Sequence, residues 1–186
     1  MEFLTQLWLP IVVSGVVVFL LSALAWTAMP HHKKDWTGLP NEDVVQQAMR
    51  QNPPAPGQYS LPWARDPGML KDPAMKERMD KGPRAYITIV PNGMPPRGPM
   101  MVRSLIYNIV VSLLVAYVTW HALGAGADYL AVFRIAGATA FMSYVLASVP
   151  DSIWFGRPWR NFGMQLADGL VFGLFTAGVF GWLWPR

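Results

Sequence analysis

The chain has 186 residues, of which 53% are hydrophobic and only 14% are charged, against about 25% charged residues in a typical soluble domain. The charges are concentrated in a few segments, leaving long uncharged stretches that a soluble fold of this length could not bury. There are no cysteines, which excludes disulfide frameworks and thiolate metal or redox sites. The composition therefore predicts an all-α integral membrane protein.

Four stretches are long and apolar enough to cross a bilayer, for which a helix needs roughly twenty residues. They are residues 5–28, 102–123, 129–149 and 166–184. The link 124–128 is so short that the second and third spans must form an antiparallel hairpin. This predicts a first transmembrane helix in 1–29, a cytoplasmic, basic and proline-rich loop in 30–101, and three further transmembrane helices in 102–186. An amphipathic segment at 151–165 is expected to lie along the membrane interface before the fourth span.

The amino-terminal stretch also has features of a secretory signal, because Ala23-Leu24-Ala25 resembles a cleavage site. However, no Lys or Arg precedes its apolar run, and Glu2 does. Signal peptides begin with a positively charged region. We therefore expect a retained transmembrane helix.

Short elements are predicted within the loop. One helix is expected at 41–50 with Asn41 as its N-cap, and a second at 72–80, capped by Asp72 and ended by Gly82. Residues 85–90 have the composition of a strand. A single strand needs a partner, which is either residues 58–63 of this loop or another chain.

The distribution of positive charge predicts the orientation. Basic side chains close to helix ends favour the cytoplasmic side, and they are Lys33, Lys34, Arg103, Arg157 and Arg160. We therefore expect a protein of the bacterial inner membrane with both termini periplasmic and the loop 30–101 cytoplasmic.

Small and polar residues at a spacing of four predict helix packing. The last helix carries Gly169, Gly173, Ala177 and Gly181, a small-residue face that allows close approach of another helix, in the same chain or in another one. The second helix carries Ser104, Asn108 and Ser112. We expect the Asn108 amide to hydrogen-bond to a neighbouring helix.

Arg134 lies inside the third span, near its predicted periplasmic end. Its side chain either extends to the membrane surface or forms an ion pair there, since His121 and Asp128 lie near the same surface. Alternatively, it contacts an anionic headgroup or ligand. His121, Arg157 and Arg160 are further candidates for contact with a headgroup or ligand.

Asp168 near the start of the fourth span is expected to act as an anchor that pairs with Arg157, Arg160 or Arg103. His31-His32 follows the first span, but adjacent side chains on a helix point about 100° apart, and no Cys or acidic residue has ligand spacing. We therefore expect the histidines to meet headgroups rather than a metal. No nucleophile elbow, phosphate loop or dinucleotide fingerprint is present, so no catalytic residue and no cofactor is predicted.

Four runs suggest a resemblance to known proteins. They are Lys34-Asp35-Trp36-Thr37-Gly38-Leu39-Pro40-Asn41-Glu42, the proline-rich segment around Gln58-Tyr59, Tyr129-Leu130-Ala131-Val132-Phe133-Arg134-Ile135-Ala136-Gly137 and Thr176-Ala177-Gly178-Val179-Phe180-Gly181-Trp182-Leu183-Trp184-Pro185. Together they resemble small bacterial inner-membrane proteins of four helices to which no activity is assigned. The resemblance implies an independently encoded membrane protein.

These observations favour a non-catalytic structural or accessory subunit of a larger membrane assembly, such as an energy-transducing complex. The alternative is a homo-oligomeric pore or a lipid-binding protein, with Arg134 and the polar face of the second helix lining it. The expected partners are membrane lipids and other integral membrane subunits or copies of this chain. Nucleic acid is not expected, because acidic residues are interspersed among the Lys and Arg of the loop. An anionic cytoplasmic leaflet explains the basic charge of the loop more simply.

Overall fold

A computed structural model describes residues 2–186 and divides the chain into two compact units. The first unit contains the residues up to Trp36 together with Pro96–Arg186, and the second contains Thr37–Pro95.

The first unit is helical. Its helices are α1 (Glu2–Thr27), α4 (Arg97–Leu123), α5 (Tyr129–Val145), α6 (Val149–Trp154) and α7 (Trp159–Trp182). The second unit contains α2 (Glu42–Gln51) and α3 (Pro73–Lys81), with strands β1 (Gly57–Leu61) and β2 (Ala85–Ile89). Within residues 2–186, four helical stretches are long and apolar enough to span a membrane, which are Glu2–Thr27, Arg97–Leu123, Tyr129–Trp154 and Trp159–Trp182. The prediction of four such helices is confirmed.

The long helices α1, α4, α5 and α7 form a four-helix bundle. The most extensive packing is between α5 and α7 and between α1 and α4, and the ring is closed by contacts of α1 with α7 and of α4 with α5. Apolar side chains from all four helices, together with Trp184 after the end of α7, fill its centre. The helical ones are Leu7, Ile11, Val111, Val115, Ala116, Val132, Ala136, Ala140 and Phe180.

The small-residue face of α7 is packed against α5. A Cβ atom added at Gly173 would lie 3.2 Å from the carbonyl oxygen of Gly137. Added at Gly169 it would meet Val145, and at Gly181 it would meet the ring of Tyr129. The sequence left open whether the small-residue face packs within the chain or against another chain. In the structure it packs within the chain.

The polar face of α4 is turned into the bundle. Ser112 is fully buried, and its Oγ donates a hydrogen bond to Ser14 Oγ of α1 across 3.3 Å. Asn108 is also buried, but its Nδ2 donates to the Ser104 carbonyl of its own helix at 2.9 Å. The expectation that the Asn108 amide bonds to a neighbouring helix is therefore wrong, because the carbonyl one turn earlier lies within reach.

The third span bends before its end. α5 stops at Val145, a 3-10 turn covers Leu146–Ser148, and Pro150 occupies the first turn of α6, where its missing N–H costs little. α7 begins at Trp159, seven residues before the predicted start of the fourth span. The segment predicted at 151–165 is thus divided between α6, a short link and the first two turns of α7.

The carboxyl-terminal residues close one end of the bundle. Trp184 Nε1 donates a hydrogen bond to the Gly124 carbonyl at 3.0 Å, and the Gly126 N–H donates to the Pro185 carbonyl at 2.9 Å. Gly124 and Gly126 have positive φ angles of 71° and 74°, which glycine adopts without the strain of a Cβ. The α4–α5 turn is therefore fixed by residues that follow α7.

In the second unit, β1 and β2 form an antiparallel ribbon in which Tyr59 faces Ile87. The strand predicted at 85–90 thus pairs inside the loop rather than with another chain. Asp72 caps α3 as expected, since its side chain accepts a hydrogen bond from the Ala74 N–H at 2.9 Å. Asn41 precedes α2, but its side chain makes no capping hydrogen bond.

Candidate functional site

The candidate site lies where the chain leaves α1. Pro30–His32 form a 3-10 turn with the proline at its first position, which suits the fixed φ angle of proline. The turn continues through hydrogen bonds from the Lys33 N–H to the Pro30 carbonyl and from the Asp35 N–H to the His32 carbonyl. This tight turn packs against α7.

Asp168 of α7 binds both histidines. Its Oδ1 lies 2.9 Å from His31 Nε2, and its Oδ2 lies 2.7 Å from His32 Nε2. The carboxylate side chain is only 14% exposed. Both of its oxygens are therefore occupied by residues more than a hundred positions earlier in the sequence.

A second carboxylate holds the other side of His32. Asp35 Oδ2 lies 2.6 Å from His32 Nδ1, and Asp35 Oδ1 accepts a hydrogen bond from Arg160 Nη1 at 2.7 Å. Arg160 Nη2 also donates to the His31 carbonyl at 2.9 Å. The Trp26 ring stacks on the His32 ring at a centroid distance of 4.0 Å. His32 is thus fixed on both ring nitrogens and on one face.

These contacts determine the charge of the site. Burial by itself lowers the pKa of His32, but the hydrogen bonds and negative charges of Asp168 and Asp35 together raise that pKa above 6.5. The hydrogen bond from His32, helped by Arg160, lowers the pKa of Asp35 below its usual value despite burial. Both nitrogens of His32 face carboxylate oxygens, an arrangement that favours the cationic, doubly protonated form of the ring.

A cavity of about 300 Å³ adjoins this cluster. Its lining residues are Trp26, His32, Tyr107, Tyr144, Arg157, Gln165, Asp168, Gly169 and Phe172. Arg157 donates to Gln165 Oε1 at 3.0 Å, and Gln165 Nε2 donates to the Tyr144 carbonyl at 3.3 Å. The Tyr144 hydroxyl is buried and has no hydrogen-bond partner among residues 2–186. Such a group requires a partner, so the cavity is suited to a polar occupant.

The structure corrects the sequence prediction for Asp168. Its partners are the two histidines, and not Arg157, Arg160 or Arg103. Arg160 binds the other carboxylate, and Arg157 lies at the cavity, 4.0 Å from Asp151. The physical reason is that the 3-10 turn brings both imidazole rings onto α7, where they occupy both oxygens of Asp168.

Arg134 and His121 lie apart from this cluster. Arg134 is exposed and borders a groove of about 270 Å³ between α5 and α7, together with Phe133, Gly137, Ala138, Phe141, Leu170, Gly173 and Leu174. His121 Nδ1 donates to the Tyr117 carbonyl at 2.7 Å, and its ring contacts Phe3.

The sequence prediction missed the grouping of His31, His32 and Asp168. One ligand atom from each of them lies within 4.8 Å of the others. The expectation of no acidic residue at ligand spacing holds along the sequence but not in space, since Asp168 is 136 positions from His32. The available signal was the alternation of the four predicted spans, which places the end of the first span and the start of the fourth at the same end of the bundle.

Comparisons with known proteins add no relationship: no family model, no curated protein and no solved structure matches this chain. Its function is therefore argued from the geometry of the site and of the two units.

Proposed function

We propose that the chain is a non-catalytic structural or accessory subunit of a larger bacterial membrane assembly, such as an energy-transducing complex. The observation that carries the proposal is the small core of the second unit. Among residues 37–95, only Pro62 and Met75 are buried. A domain of about 60 residues is marginally stable even with a regular core, so this unit needs a partner that covers it.

The apolar surface of the unit is large for its size. Trp63 is 64% exposed, Val90 67% and Met94 86%. Val90 also borders a groove of about 420 Å³ lined by Gln46, Met49, Arg50, Pro53, Pro54, Pro56, Thr88, Ile89, Val90, Pro91 and Asn92. Exposed apolar surface of this kind marks sites of protein association.

The expected partner is a protein rather than the lipid surface. Anionic leaflets attract clusters of Lys and Arg, whereas this unit interleaves its cations with Glu42, Asp43, Asp66, Glu77 and Asp80. The groove beside Val90 also combines apolar side chains with the single cation Arg50, which is suited to an apolar segment carrying an acidic residue.

Two features of the chain that could bind a partner already have contacts within the chain. The small-residue face of α7 is used within the chain, and β2 has its partner in β1. The proposal depends on the sparse core of the second unit.

The test is native mass and composition after gentle solubilisation from the membrane of origin. We expect other subunits at fixed stoichiometry, lost in Val90→Glu and retained in Met94→Glu. Both side chains are exposed, and only Val90 borders the groove, so the second variant controls for added charge. A homogeneous complex of this chain alone, or equal behaviour of the two variants, would overturn the proposal.

Lipid binding is the second candidate, and the groove beside Arg134 favours it. One cation at the edge of an otherwise apolar groove of about 270 Å³ suits an acyl chain with an anionic headgroup. A pore lined by the polar face of α4 has less support, because Asn108 and Ser112 are buried inside the monomer. Arg134→Ala should lose a co-purified anionic lipid, whereas the exposed control Arg103→Ala should keep it.

The proposed location is the bacterial inner membrane with both termini periplasmic and residues 30–101 cytoplasmic. The basic residues near the helix ends support this orientation. The chain has no cysteine, so single substitutions report cleanly. An impermeant maleimide applied to intact spheroplasts should label Ala125→Cys and spare Lys76→Cys, and the reverse pattern would invert the topology.

A further inference from the structure

We propose that His31, His32 and Asp168 form a binding site for a first-row divalent metal ion, with Zn²⁺ as its representative. The inference goes beyond the accessory role and does not depend on it. Two imidazoles and one carboxylate are a ligand set that zinc adopts in proteins, leaving a further position for water or another ligand.

The ligand atoms are already gathered. Asp168 lies 2.9 Å from His31 Nε2 and 2.7 Å from His32 Nε2. Neighbouring ligands around a tetrahedral zinc ion, with bonds of about 2.0–2.1 Å, are separated by about 3.3 Å. One ligand atom from each residue lies within 4.8 Å of the other two, so small rotations about the side-chain bonds suffice to seat the metal.

The surrounding residues orient the ligands. In metal sites the second nitrogen of a histidine ligand typically donates to a carboxylate, which fixes the tautomer and the ring orientation. Asp35 occupies this place at 2.6 Å from His32 Nδ1, and Arg160 holds Asp35 at 2.7 Å. The position of the Asp35 carboxylate supports a metal site independently of the three proposed ligands.

The neighbouring cavity gives the metal access and a free position. His32 and Asp168 both line the cavity of about 300 Å³. The Tyr144 hydroxyl, buried without a partner among residues 2–186, lines the same cavity and is available to a water or an exogenous ligand there. A bound metal would also link the turn after α1 to α7 more firmly than the hydrogen bonds between Asp168 and the two histidines do.

The binding step exchanges protons for the metal without any redox change. The metal takes the lone pairs of both Nε2 atoms and an oxygen of Asp168. Any proton that His31 or His32 carries on Nε2 goes to solvent, and His32 keeps its Nδ1 contact with Asp35. The metal and protons therefore compete for the same nitrogen atoms.

The experiment is titration of the purified full chain in detergent, free of any affinity tag, with Zn²⁺ against a chromophoric chelator. We expect one tight site per chain. Loss of an outer-shell carboxylate costs about 10–100-fold in metal affinity, so Asp35→Asn should weaken binding by that factor and His32→Gln or Asp168→Asn by more. His121→Gln, which removes the remaining histidine of the chain, should leave the affinity unchanged.

A measurement on the unaltered protein guards against variants that fail to fold. Zinc-edge X-ray absorption of the wild-type complex should show two imidazole ligands with oxygen completing the shell. A shell of oxygen alone, the absence of a stoichiometric site, or equal loss of affinity in His121→Gln would overturn the proposal.

Discussion

Removing the Asp168 carboxylate should substantially destabilise the bundle. Asp168→Ala deletes hydrogen bonds of 2.9 Å and 2.7 Å to His31 and His32 and leaves the Nε2 atoms of both rings without this partner. A hydrogen bond to a charged group contributes about 1.5–3 kcal/mol, and the two bonds share one acceptor group, so a loss of about 2–4 kcal/mol is expected. For a chain of this length that corresponds to a fall in Tm of about 5–15 °C.

The assay is thermal unfolding of the full chain in mild detergent with EDTA, followed by far-ultraviolet circular dichroism. The matched control is Asp151→Ala, since the Asp151 side chain is 53% exposed and lies 4.0 Å from Arg157. An exposed ion pair of this kind contributes at most about 1 kcal/mol. If Asp168→Ala lowers Tm no more than Asp151→Ala does, the reasoning about the histidine–carboxylate network is refuted.

Three further predictions concern packing and protons. Gly15→Ala should destabilise the α1–α4 contact by about 1–3 kcal/mol relative to Gly178→Ala. A Cβ atom at Gly15 would lie 2.8 Å from Ile109 Cγ1 and 3.0 Å from Ile109 Cα, whereas one at Gly178 would have nothing within 4 Å. Comparing the unfolding transitions of the two variants in detergent checks this, and equal stability would contradict it. With EDTA present, the stabilisation from His32, whose folded-state pKa is raised above 6.5, should be full below pH 6.5 and lost as pH rises through that higher pKa. Unfolding curves from pH 6 upward measure it, and a slope that persists in His32→Gln would assign the effect to other groups. Zinc binding should weaken as pH falls, because protons and the metal compete for the Nε2 atoms of the two histidines. Chelator titrations at several pH values measure this, and an affinity that does not change with pH would contradict the competition.

Much of the helical architecture could be predicted from the sequence, because length and apolar content decide it locally. The four spans, the short α4–α5 link and the capping of α3 by Asp72 all follow from residues close in sequence. The first residues of α4 and α7 could be predicted less accurately. Polar first turns at Arg97 and Trp159 extend these helices beyond their apolar stretches.

The histidine–carboxylate cluster could not be predicted, for two physical reasons. Its formation depends on the rotation of α7 about its own axis, which long-range packing decides. It also depends on the local shape of 30–32, where a 3-10 turn brings two adjacent imidazoles to one carboxylate. Electrostatic reasoning alone favoured an arginine for Asp168, but Arg160 is engaged by Asp35.

The placement of α7 has a consequence for biogenesis. One end of the bundle is tied by Asp168 to the turn after α1, and the other by Trp184 and Pro185 to the α4–α5 turn. Neither tie can form until the last helix has left the ribosome. Until then His32 Nε2 lacks its carboxylate partner, and the α4–α5 turn lacks its hydrogen bonds to residues 184 and 185. Both ends of the bundle are therefore tied only once α7 is in place.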